Sequence, residues 1–474
     1  MNNNCIFLLL FFVFSTTILS QVKDSIVVET VFVQEDSVSK ILPENDIQNA
    51  KAIILFLEKL ELLKQQKIGK INIVHIGDSH IQADLMTNKI RKNLQNVFGN
   101  AGRGFVFPHN LARTNGSWDI RFLSDDNWNN YRIVAPIGNS KVGLSGIALA
   151  SNSYNFSLEI TVKDQDNFFN CIKIITPKNE DNFGFSLEKK IISINKETPR
   201  NSIHKIRNGE AISTIAAKYN ISITALKSYN RLKSDAIRAG KSLNIPTSEM
   251  QINVAEKAEF VPLIFKSEAN CHLFESEKAL NKIYIISNSN QSKFNLNGII
   301  LENKNTGILY HNIGVNGAKF SDFNKYQLFF EQLKALQPDL IVLSLGTNES
   351  FDKMNAEEYL FQMDLFIQNA KSQNPKAEFL IITPPPSQFK RKFPNVFVAD
   401  YAQKIINFAA EKNLSVWNLY SQLGGMYGVR TNFNKGIIGN DRIHYTKKGY
   451  EIQGDLFSEA LLKTFENFRN ISKN

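Results

Sequence analysis

The stretch INIVHIGDSHIQADL, residues 71–85, constrains the fold most, because an apolar run turns into Gly-Asp-Ser-His without a break. Residues 71–76 have the length and apolarity of a strand covered on both faces, as in a parallel sheet. Gly77 permits a sharp bend, and Asp78 and Ser79 are residues preferred at a helix start. The apolar residues that follow recur at helical spacing. The sequence therefore places Ser79 at a strand-to-helix turn, a position that suits a nucleophile or a plain helix cap.

Strand and helix patterns also alternate near both ends of the chain. Residues 46–67 predict an amphipathic helix that leads into the strand at residue 71. The second half predicts strands within 337–350, 376–388 and 415–420, and helices over 355–373 and 396–412. Such alternation indicates a doubly wound parallel sheet, in which the carboxyl ends of the strands share one edge.

Between these α/β blocks the pattern changes to short strands separated by Asn, Asp, Ser and Lys. Segments of this kind are NFSLEITVKD, CIKIITP, KIYIISNS and FNLNGIILEN. Short strands with polar turns favour an antiparallel β-sandwich. The sandwich would be an insert in the α/β domain, with its first part at residues 116–200 and its second part at 250–308.

Residues 204–246 interrupt the sandwich pattern with two short helices flanked by strands. This segment resembles a LysM module in the strand HKIRNG, the helix ISTIAAKYN, the segment ITALKSYN and the closing AGKSLNIP. The resemblance implies a βααβ module over 202–247 that binds glycans containing N-acetylglucosamine, peptidoglycan in particular. A spacer without a ligand is the alternative. The positions implied in glycan binding are Gly209, Glu210, Ile212, Asn230 and Leu232.

The first twenty residues, MNNNCIFLLLFFVFSTTILS, contain an apolar stretch of the length found in export signals. The stretch has no Lys or Arg, so a cleaved signal peptide over residues 1–20 and a retained membrane anchor are both open. Cys5 precedes the apolar run, which argues against lipidation. No later segment has the roughly eighteen uninterrupted apolar residues of a membrane span. We expect an exported protein that is periplasmic, associated with the cell envelope or secreted.

Charge and cysteine content narrow the partners. With 55 basic and 45 acidic residues, the net charge of +10 favours anionic surfaces such as cell-wall polymers, and an ordinary solvated basic surface is the alternative. No nucleic-acid-binding motif is present, so we expect no nucleic-acid partner. Cys171 and Cys271 can form one disulfide in an exported protein or stay buried as free thiols. No Cys/His spacing indicates a metal site, and we expect no cofactor.

A hydrolytic serine needs a base, a carboxylate that orients the base, and donors for the oxyanion. Asp441 precedes His444 by three residues, a spacing that lets the carboxylate accept a hydrogen bond from the imidazole. In HNIGVNGAKF, Gly314 and Gly317 follow a strand, and glycine lets a backbone N–H approach an oxyanion closely. Asn348, in LGTNES, can donate its side-chain amide to the same oxygen. These residues are expected in one crevice at the strand ends.

The ordered set GDSH, NIGVNG, GTNE and DRIH resembles the four motif blocks of the SGNH (GDSL-type) hydrolases. The resemblance implies a flavodoxin-like α/β core with Ser79 as nucleophile, His444 as general base and Asp441 orienting the base. It also implies an oxyanion hole made by the Ser79 N–H, the Gly317 N–H and the Asn348 side chain.

The β insert between the first two blocks makes the chain resemble the peptidoglycan O-acetylesterases. The hydrolase core would then lie in two parts, 45–115 and 309–474. The resemblance implies a serine esterase that removes O-acetyl groups from peptidoglycan or a related polysaccharide through an acyl-enzyme. An O-acetyltransferase on the same fold and a non-catalytic glycan-binding wall protein are the alternatives. We interpret His75 and His80 as structural.

Overall fold

The computed structural model describes residues 44–135, 141–200, 202–247, 249–288 and 293–472 of the 474-residue chain. The segment 1–20, which we predict to be an export signal, lies outside the described residues. Within the described ranges, no helix combines the length and the apolarity needed to cross a membrane.

A six-stranded sheet forms the centre of the α/β domain. Five strands are parallel, and a short antiparallel strand closes one edge. Gly77 is in register with both Ser344 and Gly314, so three neighbouring strands end side by side. Across the sheet, the strands are Ile47–Gln48, Ser415–Trp417, Glu378–Ile382, Leu340–Ser344, Lys70–Gly77 and Gly307–Gly314.

Helices cover both faces of this sheet. Leu340 and Val342 pack into one apolar cluster, while Ile341 and Leu343 pack into another, because successive strand residues point to opposite faces. The predicted doubly wound architecture is therefore confirmed. The first cluster includes residues of the helices Ile54–Gln66, Leu85–Phe98 and Lys447–Ser472, and the second includes residues of Gln327–Leu333, Ala356–Gln373 and Val396–Lys412. Shorter helices are Ser79–Gln82, Phe320–Phe323, Thr347–Phe351, Leu419–Gln422 and Gly425–Asn434.

The start of the first helix differs from the prediction. We predict one helix over residues 46–67, but the α-helix occupies only Ile54–Gln66. The edge strand Ile47–Gln48 instead pairs with Ser415–Trp417. Asn49, at a φ of 51°, then leads the chain into a 3₁₀ turn. The predicted start is wrong because pairing with a distant strand outweighs the local helical pattern.

The insert consists of antiparallel strands, as predicted, but besides a two-stranded ribbon its described residues form three larger sheets rather than the two of a simple sandwich. The strand Gly104–Val106 precedes the predicted insert, yet it pairs with Gly298–Glu302. The five-stranded sheet comprises Lys266–Ser267, His272–Leu280, Phe169–Ile175, Gly298–Glu302 and Gly104–Val106. The four-stranded sheet comprises Ile120–Ser124, Ser157–Val162, Lys282–Ser287 and Phe183–Ser186. The three-stranded sheet comprises Phe294–Leu296, Ile147–Ser151 and Asn129–Arg132.

The two cysteines of the insert are free thiols. Burial raises the pKa of Cys171 to about 12 and that of Cys271 to about 11. Of the two alternatives left open by the sequence, the structure therefore has the unpaired thiols, which burial keeps protonated.

A long two-stranded ribbon, Lys189–Pro199 paired with Met250–Phe260, leads from the insert into the βααβ module and back. The module has its own apolar core, which includes Ile215, Leu226 and Leu243. Its elements are the strands Ser202–Lys205 and Ser242–Ile245 and the helices Ile212–Lys218 and Ile223–Tyr229.

Candidate active site

Ser79 is the first residue of a short helix that directly follows the strand Lys70–Gly77 and the linking residue Asp78. The turn is tight: a Cβ on Gly77 would lie 2.4 Å from Ile81 Cγ1, so this position admits no side chain. Asp78, not Ser79, caps the helix by accepting a hydrogen bond from the His80 N–H at 2.9 Å. The Ser79 hydroxyl is therefore left for another partner.

That partner is His444. The Ser79 Oγ and His444 Nε2 lie 2.9 Å apart, and His444 Nδ1 lies 2.7 Å from Asp441 Oδ2. The second Asp441 oxygen accepts the backbone N–H groups of Ile443 and His444, at 2.9 and 3.0 Å. Burial raises the pKa of Asp441, but these hydrogen bonds outweigh it and hold the pKa below its ordinary value. The three predicted residues thus form a continuous hydrogen-bonded relay.

The relay lies at the surface of the domain. The side chains of His444 and Asp441 are 47% and 43% exposed. They belong to a loop closed by a hydrogen bond from the Gly439 N–H to the His444 carbonyl at 2.7 Å. Within the loop, Arg442 takes a positive φ of 63° and places its guanidinium over the Phe433 ring. The site is therefore open to a large substrate.

The backbone donors predicted for an oxyanion are available. Gly317 is exposed in a turn just after the strand Gly307–Gly314, at a φ of +81° that glycine adopts without strain. Within the described part of the chain, neither the Ser79 N–H nor the Gly317 N–H donates a hydrogen bond. Both groups are therefore free to bind an anionic oxygen.

Asn348, the third predicted donor, lies in the helix Thr347–Phe351 beside these loops. Its Nδ2 donates to the Ala318 carbonyl at 3.0 Å and to Asp78 Oδ2 at 3.3 Å. The two bonds connect Asn348 to the residue after Gly317 and to the residue before Ser79. The longer bond to Asp78 is the weaker one, so it is the one an oxyanion would replace.

The sequence-based prediction does not include the raised pKa values of two buried carboxyl groups near Ser79, those of Asp78 and Glu349. Burial raises the pKa of Asp78 to about 7 and that of Glu349 to about 8. Glu349 Oε1 accepts the Phe320 N–H at 2.9 Å. The sequence has no signal for these shifts, because they arise from burial by distant segments.

Gln82 is a second group that the sequence did not single out. Its Oε1 accepts the Asn316 N–H at 2.6 Å, and its Nε2 donates to Thr114 Oγ1 at 2.9 Å and to the Asn115 carbonyl at 2.6 Å. Gln82 therefore ties the helix of Ser79 to the residue before Gly317. The only signal for it in the sequence is an amide side chain one helical turn after Ser79.

His75 and His80 are buried and hydrogen-bonded, as expected of structural histidines. His75 lies between the Tyr310 hydroxyl, at 2.8 Å, and Ser344 Oγ, at 2.6 Å. His80 Nδ1 lies 2.9 Å from the Tyr450 hydroxyl. Burial lowers the pKa of both histidines to about 3, so both are neutral at physiological pH.

The residues predicted to bind glycan in the βααβ module occupy different environments. Glu210 Oε2 lies 2.7 Å from His204 Nε2, and Asn230 bridges its helix to the strand at Asn244. Ile212 is 4% exposed and packs in the core of the module. Leu232 packs against the same core, and Gly209 is exposed.

Comparisons with known proteins agree with the division of the chain into an α/β domain and a βααβ module. Residues 295–452 match the model of the GDSL-like lipase/acylhydrolase family, and residues 204–246 match that of the LysM domain. The match to a solved structure of a peptidoglycan O-acetylesterase covers 87% of this chain and 96% of the other chain, with 18% sequence identity and a TM-score of 0.58. The match to the structure of a lipase/acylhydrolase from Enterococcus faecalis covers 33% of this chain and 75% of the other chain, with 19% identity and a TM-score of 0.26.

A search of curated proteins gave no match. The structural similarity to the O-acetylesterase covers 87% of this chain, so the shared fold extends well beyond residues 295–452. The chain therefore contains a hydrolase domain of the GDSL-like, or SGNH, type and a LysM domain.

Proposed function

We propose that this protein is an exported serine esterase that removes O-acetyl groups from peptidoglycan or a related cell-wall polysaccharide. The observation that carries the proposal is the relay of Ser79, His444 and Asp441 in a chain that also contains a LysM domain. The relay supports nucleophilic catalysis, and the LysM domain supports a glycan as the substrate.

The reaction proceeds in two steps. His444 Nε2 takes the proton of Ser79 Oγ as the oxygen attacks the acetyl carbonyl carbon, and Asp441 stabilises the imidazolium that forms. The tetrahedral intermediate collapses, and the sugar hydroxyl leaves with the proton from His444. Water then attacks the acetyl-serine by the same route, giving acetate and free Ser79.

The negative charge that develops on the carbonyl oxygen needs donors in place beforehand. The Ser79 N–H and the Gly317 N–H supply two, since both are free, and the Asn348 amide supplies a third by giving up its 3.3 Å bond to Asp78. A protonated Asp78 would favour this exchange, because a neutral carboxyl does not repel the oxyanion.

The open position of the relay supports a polymeric alcohol with a small acyl group. Exposure of His444 and Asp441 lets a glycan strand approach the hydroxyl of Ser79, and it also lets water reach the acyl-enzyme. Access of water favours hydrolysis over transfer to a second sugar. The intact relay argues against a non-catalytic wall protein, and the net charge of +10 suits an anionic cell wall.

Mass analysis of O-acetylated glycan fragments incubated with the purified protein tests the function. We expect loss of acetyl groups with release of an equal amount of acetate, and neither change with the Ser79→Ala variant. If acetyl groups move to an added glycan acceptor and no acetate appears, the protein is a transferase. If the fragments keep their esters and aryl acetates are not hydrolysed, the esterase proposal fails.

A further inference from the structure

A surface depression of about 460 Å³ lies beside the catalytic loops and is lined mainly by residues 107–123 at the start of the insert. Its volume falls within the range of roughly 300–1,000 Å³ that is usual for small-molecule sites. It contains none of the relay residues. The relay therefore leaves the depression without a role.

Trp118 is the conspicuous residue of this depression. Its side chain is 53% exposed, whereas Trp128 and Trp417 are buried. Two hydrogen bonds from Lys163 fix the backbone at this position. Lys163 Nζ donates to the Trp118 carbonyl at 2.9 Å, and the Lys163 N–H donates to the Asp119 carbonyl at 3.0 Å. An exposed aromatic ring on an ordered backbone binds a ligand with little loss of conformational entropy.

The residue after Trp118 anchors the segment more deeply. Asp119 is 3% exposed and pairs with the buried guanidinium of Arg103, whose Nε lies 2.5 Å from Asp119 Oδ2. Arg103 also pairs with Asp84 in the hydrolase core. The buried ion pairs thus connect the Trp118 segment to the helix that follows Ser79.

Polar groups accompany the aromatic ring. Thr114 and Asn115 line the depression together with His109, whose Nδ1 is buried and has no hydrogen-bond partner among the described residues. Burial lowers the pKa of His109 to about 4, so the half-buried ring is neutral. A flat apolar surface beside hydroxyl, amide and imidazole groups matches a pyranose ring, which has apolar C–H faces and a polar edge.

The depression is joined to the catalytic loops by direct hydrogen bonds. Gln82 Nε2 donates to Thr114 Oγ1 and to the Asn115 carbonyl, and Asn316 Nδ2 donates to Asn115 Oδ1 at 2.7 Å. Gln82 lies one helical turn beyond Ser79, and Asn316 directly precedes Gly317. The depression therefore adjoins the loops that carry Ser79 and Gly317.

We infer that this depression is a glycan subsite, in which Trp118 stacks against an N-acetylhexosamine ring adjacent to the esterified sugar. This inference rests on the proposed function for its substrate class. The subsite places the ester by holding the strand, and it is separate from the LysM domain. Trp118 is thus a specificity-determining residue.

Intrinsic fluorescence tests the subsite apart from the chemistry. Of the three tryptophans, only Trp118 is exposed, and the LysM segment 204–246 contains none. Adding a tetrasaccharide of N-acetylglucosamine to the full-length Ser79→Ala protein should shift and quench the emission with saturation. The response should be lost in Ser79→Ala carrying Trp118→Phe. An unchanged emission spectrum at saturating tetrasaccharide would overturn the subsite, even if the wild-type protein deacetylates glycans.

Kinetics provide the second measurement. The ratio of kcat/KM on soluble O-acetylated glycan strands to kcat/KM on an aryl acetate should fall about tenfold in Trp118→Ala, equivalent to about 1.4 kcal/mol, and recover partly in Trp118→Phe. Tyr154→Ala is the matched control, because Tyr154 is an aromatic residue of the insert with 59% exposure outside the depression. An equal fall in Tyr154→Ala, or no fall in Trp118→Ala, contradicts the inference. A fluorescence response without any glycan deacetylation would instead contradict the proposed function.

Discussion

The LysM domain and the catalytic edge are built in opposite ways. The LysM core comes from one continuous segment, with Ile206 and Ile245 near its ends. The catalytic edge brings together Ser79 and His444, which lie far apart in the chain: Ser79 follows the strand Lys70–Gly77, and His444 lies in the loop between the helices Gly425–Asn434 and Lys447–Ser472. Removal of the LysM domain should therefore leave the rest of the structure intact, whereas the catalytic edge depends on the whole α/β fold.

The hydrogen bonds of the two regions show the same difference. Asn230 bonds to Leu226 and Asn244, all within the LysM domain. Gln82 bonds to Asn316, in a different core loop, and to Asn115, where the core leads into the insert. We therefore expect glycan binding by the LysM domain to be separable from the chemistry at Ser79, whereas the insert is hydrogen-bonded to the catalytic loops.

The largest expected effect comes from the relay. Ser79→Ala or His444→Ala should reduce ester hydrolysis on the order of 10⁴-fold or more, because the nucleophile or its base is lost. Asp441→Asn should also impair hydrolysis strongly, since the imidazole would be held in the wrong tautomer. Initial rates on an aryl acetate measure the loss, and thermal unfolding verifies folding. Full activity of a folded Ser79→Ala protein would exclude the mechanism.

Loss of the Asn348 amide should have a smaller effect. Asn348→Ala should lower kcat on the order of 10²–10³-fold with little change in KM, because the amide acts mainly on the transition state. Asn324→Ala is a matched control, since Asn324 is a half-buried Asn that donates to the Gln362 carbonyl at 2.9 Å. A change confined to KM would instead assign Asn348 to substrate binding.

The LysM domain gives the next test of the comparison. Ser202 is in register with Ile245, so a short Gly/Ser linker can replace residues 202–247. We expect aryl acetate hydrolysis close to wild type, and activity on insoluble walls about 10²-fold lower because the tether is lost. Pull-down on purified walls measures binding directly. If the shortened protein binds and deacetylates walls like the parent, the domain is a spacer.

The smallest effect concerns stability and pH. Burial raises the pKa of Glu349 to about 8 from roughly 4.3 in an unfolded chain. A carboxyl whose folded pKa is raised favours folding at low pH, and this contribution is lost as pH rises towards and through the folded pKa. Asp78, with a pKa of about 7, acts in the same direction.

Above about pH 7, where the buried histidines are neutral in the folded and unfolded chain alike, the wild-type Tm should therefore fall up to about pH 9, and the Tm of Glu349→Gln should fall less because its amide does not ionise. Differential scanning fluorimetry over this range measures the slope. Glu357→Gln is the control, since Glu357 is an exposed carboxylate paired with Lys404. Equal slopes for wild type and Glu349→Gln would show that the pKa of Glu349 is not raised in the folded protein.

Much of the architecture is predictable from local patterns. The helix predicted over 396–412 is observed as Val396–Lys412, and the helix predicted over 355–373 is observed as Ala356–Gln373. Both have helical apolar spacing and an Asn side chain that caps the first turn. The edge strand Ile47–Gln48 was not predictable, because it exists only by pairing with a strand far along the chain.

The amino-acid sequence by itself determined the sequential features: the alternating α/β pattern, the LysM segment, and the order of the blocks that contain Ser79, Gly317, Asn348 and His444. Tertiary structure alone decided which side chains meet. The anchoring of the Gly317 loop by Gln82, the raised pKa of Asp78 and the exposed Trp118 beside the catalytic loops all depend on contacts between distant segments. The physical reason is that burial, desolvation and hydrogen-bond partners are set by the packing of the whole domain, whereas turns and helix caps are set by neighbours in the chain.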